Sequence, residues 1–297
     1  MRVLVTGKNG QVAKALAKIG ARQEGVELIF VGRPECDLAH PVGIDDIVAQ
    51  AEPDVVVNAA AWTAVDDAQT RQEDAFAVNA YGAQAFARAA KAIGAPIIQL
   101  STDYVFAGDK DGPYVETDPT DPQTVYGASK LKGEDLVAAA NPRRVILRTA
   151  WVYSETGKNF LKTMLRLAQT RDALSVVNDQ IGTPTHADEI ARGVLKVAEN
   201  VHVRGDEAAL YGRFHMTCSG AASWYDFAVE IFKASGELGG PSADVTPVSS
   251  AAYPTPAKRP AKSRLKCDKL SEIYGVYMAK WQTLIGPSIS DVLRQMT

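Results

Sequence analysis

Arg2-Val3-Leu4-Val5-Thr6-Gly7-Lys8-Asn9-Gly10-Gln11-Val12-Ala13 opens the chain with a short β-rich run, a glycine turn and the first residues of a helix whose apolar spacing continues to Ile19. Related units recur downstream. Leu28-Ile29-Phe30-Val31, Val55-Val56-Val57, Ile97-Ile98-Gln99-Leu100 and Val145-Ile146-Leu147 are compact apolar runs, separated by Ala-rich helical stretches such as Ala75 to Ile93. Apolar residues without alternation mean strands buried on both faces, and the intervening helices are the crossovers that parallel pairing requires. The pattern predicts a doubly wound α/β domain with a parallel sheet over residues 1–150.

Beyond about Trp151 the rhythm loosens, with Gly, Pro and aromatic residues set among helical pieces such as Asn159 to Thr170 and Trp224 to Ala234. Residues 151–297 therefore read as a smaller, mainly substrate-binding C-terminal lobe. The chain is expected to cross back to the first domain within residues 174–200, with Leu174 to Val177 rejoining the sheet. Tyr253-Pro254-Thr255-Pro256 is a loop signal, and Ile289 to Met296 closes the chain as a helix.

Composition narrows the partners. With 297 residues, 46% of them hydrophobic, a net charge of -3 and a pI near 5.9, the chain can bury a large core and has no field to attract nucleic acid or an anionic membrane. A small-molecule partner is expected. The start shows no basic region leading into an apolar stretch, and no later run is long enough to span a bilayer, so a cytoplasmic protein is expected. Cys36, Cys218 and Cys267 lack paired spacing, and His40, His186, His202 and His215 lack metal-ligand spacing, so no disulfide framework and no metal site are expected.

The turn Gly7-Lys8-Asn9-Gly10-Gln11-Val12 lies where a helix N-terminus and bare backbone amides can hold a pyrophosphate, as in a Rossmann-type fold. At the end of the second strand, Gly32-Arg33 stands where a purely NAD-directed chain commonly has an acidic residue for the ribose. An arginine can pair with a 2′-phosphate, which favours NADP(H). Asp37-Leu38 and Ala59-Ala60-Ala61 follow the second and third strands and complete the candidate cofactor set, the alanines allowing close approach to the backbone. Tyr126 and Lys130, four residues apart, fall on one face of a helix. Ser101-Thr102-Asp103-Tyr104-Val105-Phe106 follows the fourth strand, at the sheet edge where open α/β folds bind ligands, so Thr102, Tyr126 and Lys130 can converge there.

Thr6-Gly7-Lys8-Asn9-Gly10-Gln11, Asn58-Ala59-Ala60-Ala61, Ser101 to Phe106 and Tyr126-Gly127-x-x-Lys130 resemble the extended short-chain dehydrogenases/reductases. Arg148-Thr149-Ala150-Trp151-Val152-Tyr153, Asn159-Phe160, Asn178-Asp179-Gln180-x-Gly182-x-Pro184-Thr185 and Arg259-Pro260-x-x-Ser263-Arg264-Leu265 narrow the likeness to the dTDP-4-dehydrorhamnose reductase family, in order along essentially the whole chain. The resemblance implies an enzyme that uses NADPH to reduce the C4 keto group of a dTDP-linked deoxysugar, giving dTDP-L-rhamnose for cell-surface polysaccharide. It implies Tyr126 as proton donor, Lys130 as ligand of the nicotinamide ribose and depressor of the tyrosine pKa, and Thr102 as hydrogen-bond partner of the substrate carbonyl. Trp151, Val65, Asp103 and Tyr104 would line the sugar pocket, and Arg259 and Arg264 would reach the diphosphate.

Other readings stay open. A related nucleotide-sugar epimerase, dehydratase or reductase would share the fold, although dehydratases usually carry an acidic pair beside the catalytic threonine, where this chain has Asp103-Tyr104. A non-catalytic NADP-binding regulatory subunit is the other rival, and the intact Thr102, Tyr126 and Lys130 set speaks against it. Some members of the family form Mg²⁺-bridged dimers through acidic residues, one on the first helix. Ala15 stands at that place here, leaving monomer and homodimer both open. Asp66-Asp67 reads as a solvated loop pair.

Overall fold

The structure, a computed structural model, describes residues 1–296, and side chains up to Gln295. Six parallel strands form the central sheet. They are β1 (Arg2–Thr6), β2 (Glu27–Val31), β3 (Val55–Asn58), β4 (Ile97–Thr102), β5 (Arg144–Thr149) and the strand Gly212–His215, in the spatial order Gly212–His215, β5, β4, β3, β1, β2. The chain leaves β1 toward one edge and returns to β3 on the other side, so the winding reverses between β1 and β3. That reversal opens the crevice in which doubly wound sheets take ligands. β3 and β4 are buried at every position, their apolar residues and the polar Asn58 and Gln99 alike covered on both faces.

Two apolar layers cover the sheet. On one face Val3, Val5, Val57, Ile98 and Leu147 pack against helix α1 (Gln11–Gly20) and the helix Ala187–Val203; on the other, Leu4, Val56 and Ile97 pack against Val48, Phe86 and Val137. A third core, built from Tyr153, Leu161, Leu165, Phe227, Ile231, Trp281 and Ile289, belongs to the C-terminal lobe. Among the described residues no helix is long and apolar enough to cross a membrane.

The second half of the chain is shared differently from the sequence expectation. Ala173–Val177, which contains Leu174 to Val177, does not rejoin the central sheet; it pairs in parallel with Asp244–Val248 inside the lobe. Its burial alternates along the strand, the pattern of one covered face, whereas central-sheet positions are covered on both. The helix Ala187–Val203 does return to the first core, and so do Phe214, Leu270 and Tyr274. The stretch from Ala75 to Ile93 is interrupted: α-helical Gln72–Phe76 passes through a π-helical turn, Ala77–Gly82, before Ala83–Ala92. A Cβ on Gly82 would meet the Leu38 carbonyl oxygen at 2.5 Å, so only glycine lets that turn seat against the segment after β2.

Candidate active site

The first glycine turn is shaped by contact with β3. Gly7 has φ +79°, and a Cβ there would lie 2.9 Å from Ala60 Cα. Neither the left-handed backbone nor that approach tolerates a side chain. Gly10 caps α1 with no side-chain hydrogen bond at the helix end, and no acidic residue sits in the first turn, so nothing there opposes an anion at the leading amides, behind which Val12 is buried in the core. Asn9 is exposed in the turn, and Gly32 lies against Lys8, whose ammonium pairs with Glu35 at 2.7 Å. Arg33 is exposed and makes no ion pair among the described residues. Asp37 accepts from the Ala39 amide at 3.0 Å, and Leu38 is buried against the π-turn. Gln11 faces the lobe instead: its Oε1 accepts from Ser154 Oγ and Asn159 Nδ2, both at 2.9 Å.

A buried polar chain runs along the carboxyl edge of the sheet. Thr6 donates to Asn58 Oδ1 at 2.5 Å and accepts from the Ala60 amide; Asn58 Nδ2 donates to Gln99 Oε1 at 2.7 Å. Gln99 Nε2 donates to the Leu100 carbonyl at 2.8 Å, and the same carbonyl accepts from Lys130 Nζ at 2.7 Å. The phosphate turn and Lys130 are thus tied to one hydrogen-bonded ladder, in which each buried polar group has a partner.

Tyr126 and Lys130 project from the helix Val125–Ala140, whose first turn is capped by Thr124 accepting from the Gly127 amide at 3.0 Å. A Cβ on Gly127 would strike the Tyr104 carbonyl at 2.2 Å, and one on Gly133 the Asn79 carbonyl at 2.1 Å. The helix therefore seats directly on the Thr102 segment and on the π-turn. Asn79 fixes that second contact, donating to Ser129 Oγ at 2.9 Å and exchanging hydrogen bonds with the Trp62 backbone. One turn beyond Lys130, fully buried Glu134 accepts from Ser101 at 2.6 Å, from Arg148 Nε and Nη2 at 2.8 and 2.7 Å, and from Arg213 at 3.0 Å. Asn79, Gln99, Ser129 and Glu134 belong to no motif; only the helical spacing of Glu134 from Lys130 hints at a shared face.

The titrating groups are set by burial. Burial pushes the Tyr126 phenol above the ordinary tyrosine value, with the Thr102 hydroxyl acting against it. Burial brings Lys130 down to about 8, against the pull of Glu134. The sequence leads one to expect a phenol lowered by Lys130; here burial raises it, and the ammonium donates to the Leu100 carbonyl. Thr102 donates to Asp103 Oδ1 at 3.0 Å and accepts from the Tyr104 amide at 3.2 Å. Burial raises Asp103 to about 6 despite its Ser263 and Thr102 neighbours.

Around Tyr126 the expected sugar-pocket residues gather unevenly. Val65 and Tyr104 pack in one cluster with it, the Tyr104 and Tyr126 rings 5.5 Å apart and edge to face. Arg259 reaches the same place, donating to Tyr104 Oη at 3.2 Å and to Asp66 Oδ2 at 2.6 Å. Asp66 is therefore no solvated loop charge: it also accepts from the Ala257 amide at 3.1 Å, because the tertiary fold returns the 253–260 segment to it. Arg264 is half-buried, its carbonyl accepting from the Tyr114 amide at 2.8 Å, and its guanidinium has no partner among the described residues. Trp151 has φ +47°, a left-handed backbone that costs a non-glycine residue about 1–3 kcal/mol.

A divalent cation bridging through the first helix does not fit these residues. Ala15 is buried and offers no donor, while Lys18, on the same helix, already places its ammonium 2.9 Å from Glu155 and 2.8 Å from Asp188.

Comparison with known proteins agrees with this architecture. The family model described as RmlD substrate binding domain matches residues 1–294. A dTDP-4-dehydrorhamnose reductase of Sinorhizobium fredii is 51% identical over 282 residues, 95% of this chain and 94% of that protein. The crystal structure of a dTDP-4-dehydrorhamnose reductase from Clostridium acetobutylicum superposes with a TM-score of 0.91 at 41% identity, covering 100% of both chains. One from Bacillus anthracis, in complex with NADP, superposes with a TM-score of 0.89 at 32% identity, covering 98% of this chain and 99% of that one. On a match that runs nearly end to end, the chain belongs to the RmlD substrate binding domain family.

Proposed function

We propose that this protein reduces the C4 keto group of dTDP-4-dehydro-L-rhamnose with NADPH, giving dTDP-L-rhamnose and NADP⁺. The observation that carries the reading is the joint arrangement of Thr102, Tyr126 and Lys130 together with a glycine turn whose helix N-terminus no side chain caps. The near-full-length relatives named for this reaction support it. Gly7, Gly10, Gln11, Val12 and Ala59 to Ala61 would hold the dinucleotide, with Gly32, Arg33, Asp37 and Leu38 at its adenosine end. The bound dinucleotide supplies the hydride for the sugar carbon.

The chain's own groups handle the oxygen. A buried phenol with a raised pKa still carries its proton at neutral pH, so Tyr126 can deliver it to the alkoxide forming at the sugar oxygen. The Lys130 ammonium, one turn along the helix, favours the phenolate left behind. Thr102 can turn its hydroxyl from Asp103 to the substrate carbonyl, adding a donor where charge develops. Val65, Tyr104 and Trp151 flank the sugar, and Arg259 supplies a cation for the diphosphate.

The test is single: keto sugar generated in situ, NADPH and the purified protein, followed by loss of the reduced-nicotinamide absorbance and by identification of the deoxysugar formed. Turnover to dTDP-L-rhamnose is expected. NADPH bound but left unoxidised would instead indicate a regulatory subunit.

A further inference from the structure

Trp151 is held against another indole. Its ring lies flat on Trp224, centroids 3.5 Å apart and planes 5° from parallel, and both side chains are half-buried. Gly182 leaves the space: a Cβ there would come within 2.5 Å of the Trp151 ring. Trp224 is fixed in turn by Phe160, whose ring is 4.7 Å away, and by its indole N–H donating to Gln180 Oε1 at 3.2 Å. Gln180 Nε2 donates to Ser250 Oγ at 2.8 Å, and Ser250 donates through its hydroxyl and amide to Asp179 at 2.6 and 2.9 Å. Ser250 starts the segment that runs on to Arg259.

We propose that Trp224 is a positioning residue for the nucleotide-sugar: it holds Trp151 in its left-handed backbone state and couples that wall, through Gln180 and Ser250, to the segment bearing Arg259. The inference rests on the functional reading above, in which Trp151 and Arg259 contact sugar and diphosphate. Without its flat partner Trp151 has no stack to offset its backbone strain, and the pocket wall must be reordered each time substrate binds. Ground and transition states are affected alike, so the loss should fall on KM and leave kcat nearly intact.

The experiment compares the parent with Trp224→Phe, Trp224→Ala and, as assignment control, Trp151→Phe. Two stacked indoles give an exciton couplet in far-ultraviolet circular dichroism. The couplet should be present in the parent, absent from all three variants, changed by dTDP-L-rhamnose and unchanged by NADPH. Trp224→Ala should raise KM for the keto sugar about three- to tenfold, the size expected of one aromatic pair, with NADPH affinity within about twofold; Trp224→Phe, which keeps a flat ring, should recover most of that loss. An unchanged KM in Trp224→Ala, or equal losses of NADPH and sugar binding, would overturn the proposal. A parent that leaves the keto sugar unreduced would refute the functional reading instead. The couplet would then decide this inference alone: if dTDP-L-rhamnose does not move it, the inference fails.

Discussion

Replacing Glu134 by Gln keeps the size of a side chain that accepts four hydrogen bonds and removes its charge. Burial by itself would raise this carboxyl, but Arg148, Ser101 and Arg213 outweigh it and hold it below the usual carboxylate range. Arg148 is 1% exposed, and its Nη1 already lacks a hydrogen-bond partner, so the variant leaves a buried guanidinium uncompensated. Breaking a buried ion pair costs about 3–5 kcal/mol. At about 2 °C per kcal/mol for a chain of this length, the melting temperature should fall by about 6–10 °C in calorimetry. A carboxyl depressed in the fold contributes stability above its unfolded pKa of about 4.3 and loses it as pH falls through the folded value, so the gap should be widest at neutral pH and close in acid. Glu134 also favours the charged form of Lys130, which stands at about 8. The alkaline limb of kcat/KM should therefore move to lower pH in the variant. A melting temperature within about 2 °C of the parent, together with an unmoved alkaline limb, would refute this account of the helix.

Tyr126→Phe should fold and bind NADPH normally while turnover drops about 10²- to 10⁴-fold; reduction at close to the parental rate would mean that another group delivers the proton. Arg33→Ala should remove a preference for NADPH over NADH corresponding to about 1.5–3 kcal/mol, and equal affinities in the unmutated protein, measured by titration, would show that Arg33 meets no phosphate. Asp103 has a folded pKa raised to about 6, so its neutral form is favoured in the fold, and stability from this group is lost as pH rises from its unfolded value through the folded one. Asp103→Asn should therefore stabilise the protein above about pH 6, by up to about 3 kcal/mol, and have no such effect below about pH 4; a variant less stable than the parent at neutral pH, by denaturant titration, would count against it.

Local chemistry determined much of this protein from sequence alone. The compact, non-alternating apolar runs within β3, β4 and β5 specify strands covered on both faces, and Gly7 marks a turn that no side chain fits. Tyr126 and Lys130 share a helix face because they are one turn apart. What depends on distant segments meeting was decided only by the tertiary structure. Ala173–Val177 reads as a strand in either setting, and pairing with Asp244–Val248 chose the lobe. Asp66 looks like a surface charge until a segment more than 190 residues later returns Arg259 to it. The raised phenol of Tyr126 is likewise absent from the motif, since spacing puts an ammonium near a phenol but only packing sets how much water each loses. Trp151 is named by its motif, whereas its flat partner Trp224 lies 73 residues on and was brought to it by the packing of the lobe. Short-range periodicity fixes which face a residue takes; long-range packing fixes what it meets there, and charge, burial and strain follow from that meeting.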